Sequence, residues 1–364
     1  MASNTNPVFQ TAKYPPSIDL PAPYPPNTTF PLQFSPVSAS ASLSAKLAGI
    51  RQLSLNGEIR RLLDTHGAIY FSNLCLASAE EFSQFTHAFG FVPHEDIGNP
   101  VRRTILANNV ATANEGPNTR PVYPHNEFGL SPHYPAYVFF YCASAPETGG
   151  ETPINNSIVL YKRLKDEFPE FIDEIEKKGI KYQLTYPNTS RTQTESPGNS
   201  VLQAYGQHVH DSDDAETTRA KIEREIRRLP TATWEWVDQS PTNALGDLRT
   251  WQVLPAVRPH TRTGQPAFFN NAVSRFLSAV DAGTLDPPHL TKEGRYRPPA
   301  FYGDGGLVPR KYFDAAVRIV QETRVLVKWR MGDVVLLDNH AVQHGREPWT
   351  GERRLLASLW DDVK

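Results

Sequence analysis

Gly332-Asp333-Val334-Val335-Leu336-Leu337-Asp338-Asn339-His340-Ala341-Val342-Gln343-His344-Gly345-Arg346 joins a turn, an apolar strand-prone run and a polar segment with two histidines. Far upstream, Tyr123-Pro124-His125-Asn126-Glu127-Phe128 sets a histidine and a carboxylate one residue apart. On an extended strand alternate residues share a face, so His125 and Glu127 are placed to share one cation. Two imidazoles and one carboxylate leave three positions of an octahedral ion open, which suits an Fe(II) that must take up a co-substrate and oxygen. His340 and His344 both offer the third nitrogen, because a strand puts them on the same face. Segments this far apart become neighbours when the chain closes a sheet on itself, with ligands from distant strands converging in its mouth.

The surrounding runs agree with such a closure. Residues 103–110, 122–128 and 137–142 (YVFFYC) are β-prone and separated by Pro, Gly and Asn turns. Residues 250–257, 267–270, 325–329, 334–338 and 355–360 supply strands in the last third, with a helix over 310–323 between them. Helices are expected over 58–66, closed by Gly67, and over the segment opened by Ser78, which has Glu81 three residues on as a capping box. In the middle, Ser157 is placed to cap a helix over 158–168, Pro169 begins the next, and acids precede arginines in 213–229 as the helix dipole favours. The pattern predicts an α+β chain with a mainly β core: a double-sheet jelly roll with a helical insertion at about 157–230 and flanking helices. Residues 1–40, rich in Pro, Ser and Asn, are expected to form an extended arm rather than packed strand, with 41–364 as one domain.

Composition narrows the function classes. Lys and Arg number 37 against 39 Asp and Glu, a net charge of −2, which argues against nucleic acid or a membrane surface as a partner recruited by bulk charge. Cys75 and Cys142 lack zinc spacing and are too few for a disulfide scaffold, which fits a reducing compartment. The N-terminus shows no signal-peptide pattern and no long apolar span occurs, so a cytoplasmic protein is expected. Self-association through the Pro-rich arm would make a homo-oligomer. His208 and His210 form a further His-x-His without a carboxylate placed as Glu127 is, and are expected at the surface.

Four strings in order, HNEF with FFYC, ETGGETP, FFNN and GDVVLLDNHAVQHGREPW continuing to GERRLLASLW, resemble the taurine dioxygenase/clavaminate synthase-like family of Fe(II)- and 2-oxoglutarate-dependent oxygenases. The resemblance runs from about Gly67 to the C-terminus and is closest to members with Glu in place of Asp. It implies a double-stranded β-helix core and iron held by His125, Glu127 and His344, with His340 outside the ligand set. It also implies that Thr152 and an arginine after the distal histidine hold the 2-oxoglutarate carboxylate. Arg353 and Arg354 compete for that role. A guanidinium fork matches a carboxylate and stays charged. Strand alternation puts Arg354 on the face of Leu356 and Ser358, taken as the inward face, so Arg354 is the expected partner. The reaction implied is oxidation of an unactivated C–H in a small polar, amino-acid-like or carboxylate substrate, with O2 consumed and succinate and CO2 released. Hydroxylation is the default. Desaturation or oxidative cyclisation in a biosynthetic pathway, or a jelly-roll metal-binding protein without turnover, are the alternatives. Asn108, Asn109, Asn114, Asn270 and Arg346 are further candidates for pocket contacts.

Overall fold

The computed structural model describes residues 8–363 except 39, 102, 114–115, 189–199, 293 and 295. Asn114 and part of the 157–230 segment therefore lie outside the described residues.

The strand Tyr137–Ser144 is the spine of the larger sheet. It pairs antiparallel on one side with Val334–Asp338 and on the other with Arg354–Asp361. The sheet continues outward through Ala68–Phe71, Thr29–Pro36 and Phe9–Asp19 on one flank, and through Val110–Thr112 and Ile105–Ala107 on the other. Its side chains alternate between two interiors. Phe139, Tyr141, Leu336, Leu356 and Trp360 pack against Ile59, Leu62, Phe82 and Phe85 from the helices Glu58–His66 and Ala79–His87. Val138, Phe140, Val335, Leu337, Leu355 and Leu359 face Ile154, Val325, Val327 and Val342 of a second, four-stranded sheet. Burial on both faces explains why YVFFYC and VVLLD read as unbroken apolar runs rather than alternating ones.

The second sheet runs Val325–Val327, Thr152–Asn156, Val342–Arg346, Val122–His125. Helices Ser157–Glu167, Pro169–Lys178, Ala272–Ala282 and Arg310–Thr323 share a third apolar cluster around Phe171, Phe268, Phe276 and Phe313. Ser157 is not the cap expected of it. Asn156 takes that place, its side chain accepting from the amides of Ile158 and Val159 at 3.0 Å. The segment expected as a helical insertion also contains the strand Ile180–Tyr186, which joins Ala232–Val237, Asp247–Leu254 and Phe301–Tyr302 in a third sheet.

The N-terminal arm departs most from its expected form. Phe9–Asp19 and Thr29–Pro36 form an antiparallel hairpin, and Thr29–Pro36 lies parallel to Ala68–Phe71, so the arm extends the main sheet. The physical reason is apolar content at alternate positions: Phe9 stacks on Phe34 at 5.4 Å and Phe34 meets Phe71 edge-on at 5.8 Å, all buried. Prolines at an edge hairpin cost few ladder bonds. Replacing Phe34 by Ala is expected to lower stability by about 3–5 kcal/mol, as for other buried phenylalanines. Urea denaturation measures it, and a loss below about 1 kcal/mol would show that the hairpin does not fold with the core.

Candidate metal centre

His125 ends the edge strand of the smaller sheet. His344 pairs with His125, and Arg346 with Val122, so Tyr123 and Pro124 together oppose the single residue Gly345 and form a bulge. An edge strand tolerates the missing N–H of Pro124, and the bulge re-aims the chain. Tyr123 then turns to the helix Ala272–Ala282, where its hydroxyl donates to Asp281 at 2.7 Å, while Val122 and His125 line one cavity with His344.

Glu127 lies beyond the strand end, so the expected strand geometry for His-x-Glu does not place it. The Asn339 side chain does: its Oδ1 accepts from the Glu127 amide at 2.8 Å and its Nδ2 donates to the Glu127 carbonyl at 2.9 Å. Asn126 adds a donation to the Asn339 carbonyl at 2.7 Å. All of these groups are buried, where such bonds hold a loop as firmly as a strand ladder. Asn339 lies within the string that carried the resemblance, but nothing in its own residue type marked it as the clamp.

The side chains of His125, Glu127 and His344 converge, with one ligand atom from each lying within 4.8 Å of the others. Glu127 Oε2 is 3.3 Å from His344 Nε2 and 3.9 Å from His125 Nε2. His125 Nδ1 donates to the Tyr123 carbonyl at 2.8 Å, which leaves Nε2 as the lone-pair nitrogen facing the cluster. Burial, reinforced by the neighbouring His344, depresses the His125 imidazole to about 4. Burial pushes the Glu127 carboxyl up, but Arg103 and the two imidazoles outweigh it and hold the group well below the ordinary range. At neutral pH His125 and Glu127 are thus deprotonated, as metal ligation requires. The donor set fits Fe(II).

Around this cluster is a cavity of roughly 90 Å³ whose wall includes Arg103, Thr152, Arg346 and Arg353. Thr152 is buried, and its Oγ accepts from Trp329 Nε1 at 3.0 Å, leaving its proton to donate elsewhere. Of the two competing arginines, the one expected to face inward, Arg354, is not the one that reaches the cavity. Arg353 lines the cavity and Arg354 is exposed. Alternation puts Arg354 on the face of Leu356, which packs on the helices, while Arg353 lines the cavity together with Leu355. Gly149 and Gly150 are both at positive φ (66° and 68°), and Gly150 makes room for it. A Cβ on Gly150 would stand 2.8 Å from Arg353 Cδ, and Arg353 Nε donates to the Gly150 carbonyl at 2.8 Å. Burial beside Arg346 lowers Arg353 to about 10, which leaves it charged at neutral pH.

Other candidates sort plainly. Arg346 donates to the carbonyls of Gly116, Pro117 and Arg120 and lies over the Trp349 ring at 4.6 Å, so it closes the cavity wall. Asn270 donates to the Ala256 carbonyl and accepts from the Ala272 amide, a structural role. Asn108 and Asn109 form the hairpin turn between the Ile105–Ala107 and Val110–Thr112 strands, which splits the single strand expected there. His208 is exposed, 3.5 Å from Glu225. His340 lies outside the cluster, against Tyr134 and Phe269. A second cluster, Asp64, His260 and Asp338, is already saturated: Arg262 grips Asp64, His260 donates from Nε2 to Asp338, and its Nδ1 accepts from the Thr263 amide. Arg103 and Trp329 were not singled out in the sequence, where neither belongs to a recognised string.

The model for "Taurine catabolism dioxygenase TauD, TfdA family" matches residues 28–360. The chain belongs to the TauD/TfdA family. It is 30% identical over 300 residues to a clavaminate synthase-like protein of Arabidopsis thaliana, covering 82% of each chain. It is 27% identical over 342 residues to the dapdiamide synthesis protein DdaC of Enterobacter agglomerans, covering 90% of this chain and 92% of that one. Among solved structures, a taurine dioxygenase from Burkholderia xenovorans aligns over 98% of this chain and 91% of its own at 15% identity and a TM-score of 0.47. This TauD/TfdA member is an Fe(II)- and 2-oxoglutarate-dependent dioxygenase. Among the described residues no helix is long and apolar enough to cross a membrane.

His340 gives a pH prediction apart from catalysis. Burial depresses its imidazole to about 4, so between there and the unfolded value near 6.5 the unfolded chain binds the extra proton. Stability is therefore complete above about pH 6.5 and falls toward pH 4 by ~1.4 kcal/mol per pH unit for this group. In metal-free buffer, His340→Gln is expected to flatten the pH dependence of the urea midpoint over that window. An unchanged slope would contradict it.

Proposed function

We propose that His125, Glu127 and His344 hold the iron, and that Arg353 and Thr152 hold the far carboxylate of 2-oxoglutarate. The observation that carries this reading is the convergence of the three ligand atoms in one cavity wall with a buried, charged guanidinium and a buried hydroxyl. When bound, the iron with 2-oxoglutarate and O2 supplies the oxidising power, and the 2-oxo acid leaves as succinate and CO2.

The chain's own residues bind and orient. Arg353 offers a fork to the carboxylate, fixed from behind by the Gly150 carbonyl. Thr152 donates its hydroxyl proton, since Trp329 occupies the oxygen from the other side. Arg103 holds Glu127 Oε1 at 2.5 Å and leaves Oε2 toward the imidazoles. Phe140, Val122 and Leu355 supply apolar wall, which limits water around the reacting groups. The two-sheet core, with the cluster between the sheets, supports the double-stranded β-helix reading of the fold.

The substrate in this reading is a small polar molecule, amino-acid-like or a carboxylate, and hydroxylation is the default outcome. Desaturation or oxidative cyclisation in a biosynthetic pathway is the second reading, and the relative named for dapdiamide synthesis supports the biosynthetic setting alone.

Anaerobic addition of Fe(II) and then 2-oxoglutarate is expected to produce the visible charge-transfer band of the chelate, and His344→Ala to abolish it. Absence of the band in the unaltered protein, with no succinate formed in air, would reject the oxygenase reading. Arg353→Gln is expected to weaken 2-oxoglutarate binding about 10- to 100-fold, from loss of a charge-assisted pair worth about 1.5–3 kcal/mol. Arg354→Gln should change it by less than about twofold. The opposite ranking would restore the assignment to Arg354.

A further inference from the structure

Arg103 stands in the wall between two cavities. One is the cavity of the metal cluster, and the other has a volume of about 570 Å³. Its side chain is only 16% exposed. Nη2 donates to Glu127 Oε1, the one hydrogen bond the guanidinium makes among the described residues, and Nε is buried with no acceptor. A guanidinium carries five N–H donors and remains charged. Buried donors without partners are uncommon in folded proteins and point to a group that arrives from outside. Glu127 already meets the charge, and the chemistry that meets the remaining donors is a second carboxylate, whose two oxygens match the fork.

The larger cavity has the complementary features. Ala111, Ala204, Ala357 and Leu359 give it an apolar lining, and Asp96, exposed at its rim, accepts from Asn99 Nδ2 at 2.8 Å. It thus offers a cation at the wall shared with the metal cluster and an acid at the rim. A third cavity, of about 840 Å³, also borders the metal cluster, through Val122 and Arg346. There Arg346 is tied to three backbone carbonyls, so passage requires breaking a bonded wall. On the other side the shared wall is formed by Val101 and Arg103, and the Arg103 guanidinium is held there by one bond, to Glu127.

We propose that Arg103 anchors the carboxylate of the primary substrate in the 570 Å³ cavity, and that this substrate is a zwitterion of α-amino-acid type whose ammonium group faces Asp96. The proposal rests on the oxygenase reading above. One guanidinium then grips the iron carboxylate and the substrate carboxylate together, so the substrate's anionic end sets its distance from the metal. Selectivity for the acid over its neutral amide follows, because a carboxylate accepts two charge-assisted hydrogen bonds from the guanidinium's remaining donors, where the amide offers one neutral oxygen.

The test uses the full chain with Fe(II) and 2-oxoglutarate under anaerobic conditions, read by perturbation of the visible chelate band rather than by turnover. The probes are the proteinogenic L-α-amino acids and, in parallel, their carboxamides. At least one free acid is expected to perturb the band and its amide to bind at least about tenfold more weakly. Arg103→Lys, which keeps a positive charge near Glu127 but loses the fork, is expected to lose the acid's advantage over the amide in the protein that forms the chelate. Ala204→Trp, which fills the cavity away from the metal ligands, is expected to retain the band and lose the response. Equal binding of acid and amide, no response to any acid, an unaltered response in Ala204→Trp or unaltered discrimination in Arg103→Lys would each overturn the proposal. Loss of the band in Arg103→Lys would do the same by reducing Arg103 to a support of Glu127. A missing band in the unaltered protein rejects the oxygenase reading itself and is distinguishable from all of these.

Discussion

The antiparallel pairing of His344 with His125 is the constraint on which the site depends. It joins an edge strand near residue 125 to a strand near the end of the chain, and a single extra residue in the bulge at Tyr123-Pro124 decides which side chains enter the cavity. Without the bulge, plain alternation over the three positions from 122 to 125 would carry Val122 to the face opposite His125. The bulge keeps Val122, His125, His344 and Arg346 around one space and sends Tyr123 to the helix behind. The two histidines proposed as ligands are therefore placed by backbone register, and only Glu127 needs a separate device, the buried Asn339 clamp.

Electrostatics explains why such a cluster is stable before any ligand arrives. An ionised Glu127 that is only 7% exposed is unfavourable alone, and its compensation comes chiefly from Arg103 in direct contact. Arg353, by contrast, faces the same cavity with its Nε satisfied by a backbone carbonyl and no carboxylate bonded to it among the described residues. The two arginines stand in different states within one cavity, one neutralised by a metal ligand and one held ready for an anion. That difference is in keeping with the separate roles proposed for them, Arg103 beside Glu127 and Arg353 toward the 2-oxoglutarate carboxylate.

The sequence revealed most where chemistry and local pattern coincide. His125, Glu127 and the strand-rich ends of the chain were visible because residue type, spacing and apolar runs each point the same way. The choice of His344 over His340 came from the family resemblance, and the structure places His340 in a buried aromatic setting instead. What stayed hidden depends on long-range packing. The N-terminal hairpin reads as a Pro-rich arm until Phe9 and Phe34 meet Phe71, a contact between residues that no local window contains. Arg103 and Asn339 act through partners 24 and 212 residues away, so their roles have no local signal.

The Arg353 and Arg354 reversal has a more general cause. Alternation tells which residues share a face, and a strand with one wet face then shows which way is in. Arg354–Asp361 has no wet face over most of its length: Leu356 and Trp360 pack against helices on one side, while Leu355, Ala357 and Leu359 face the second sheet on the other. Both faces are apolar, so hydrophobicity cannot separate the face that meets scaffold from the face that meets ligand. The distinguishing feature lies on the facing segment, where Gly150 leaves room for one arginine and supplies its carbonyl. Glycine at a positive φ opposite a strand end is thus the better guide to the ligand face than the strand's own pattern, because it reports the space a long side chain must occupy.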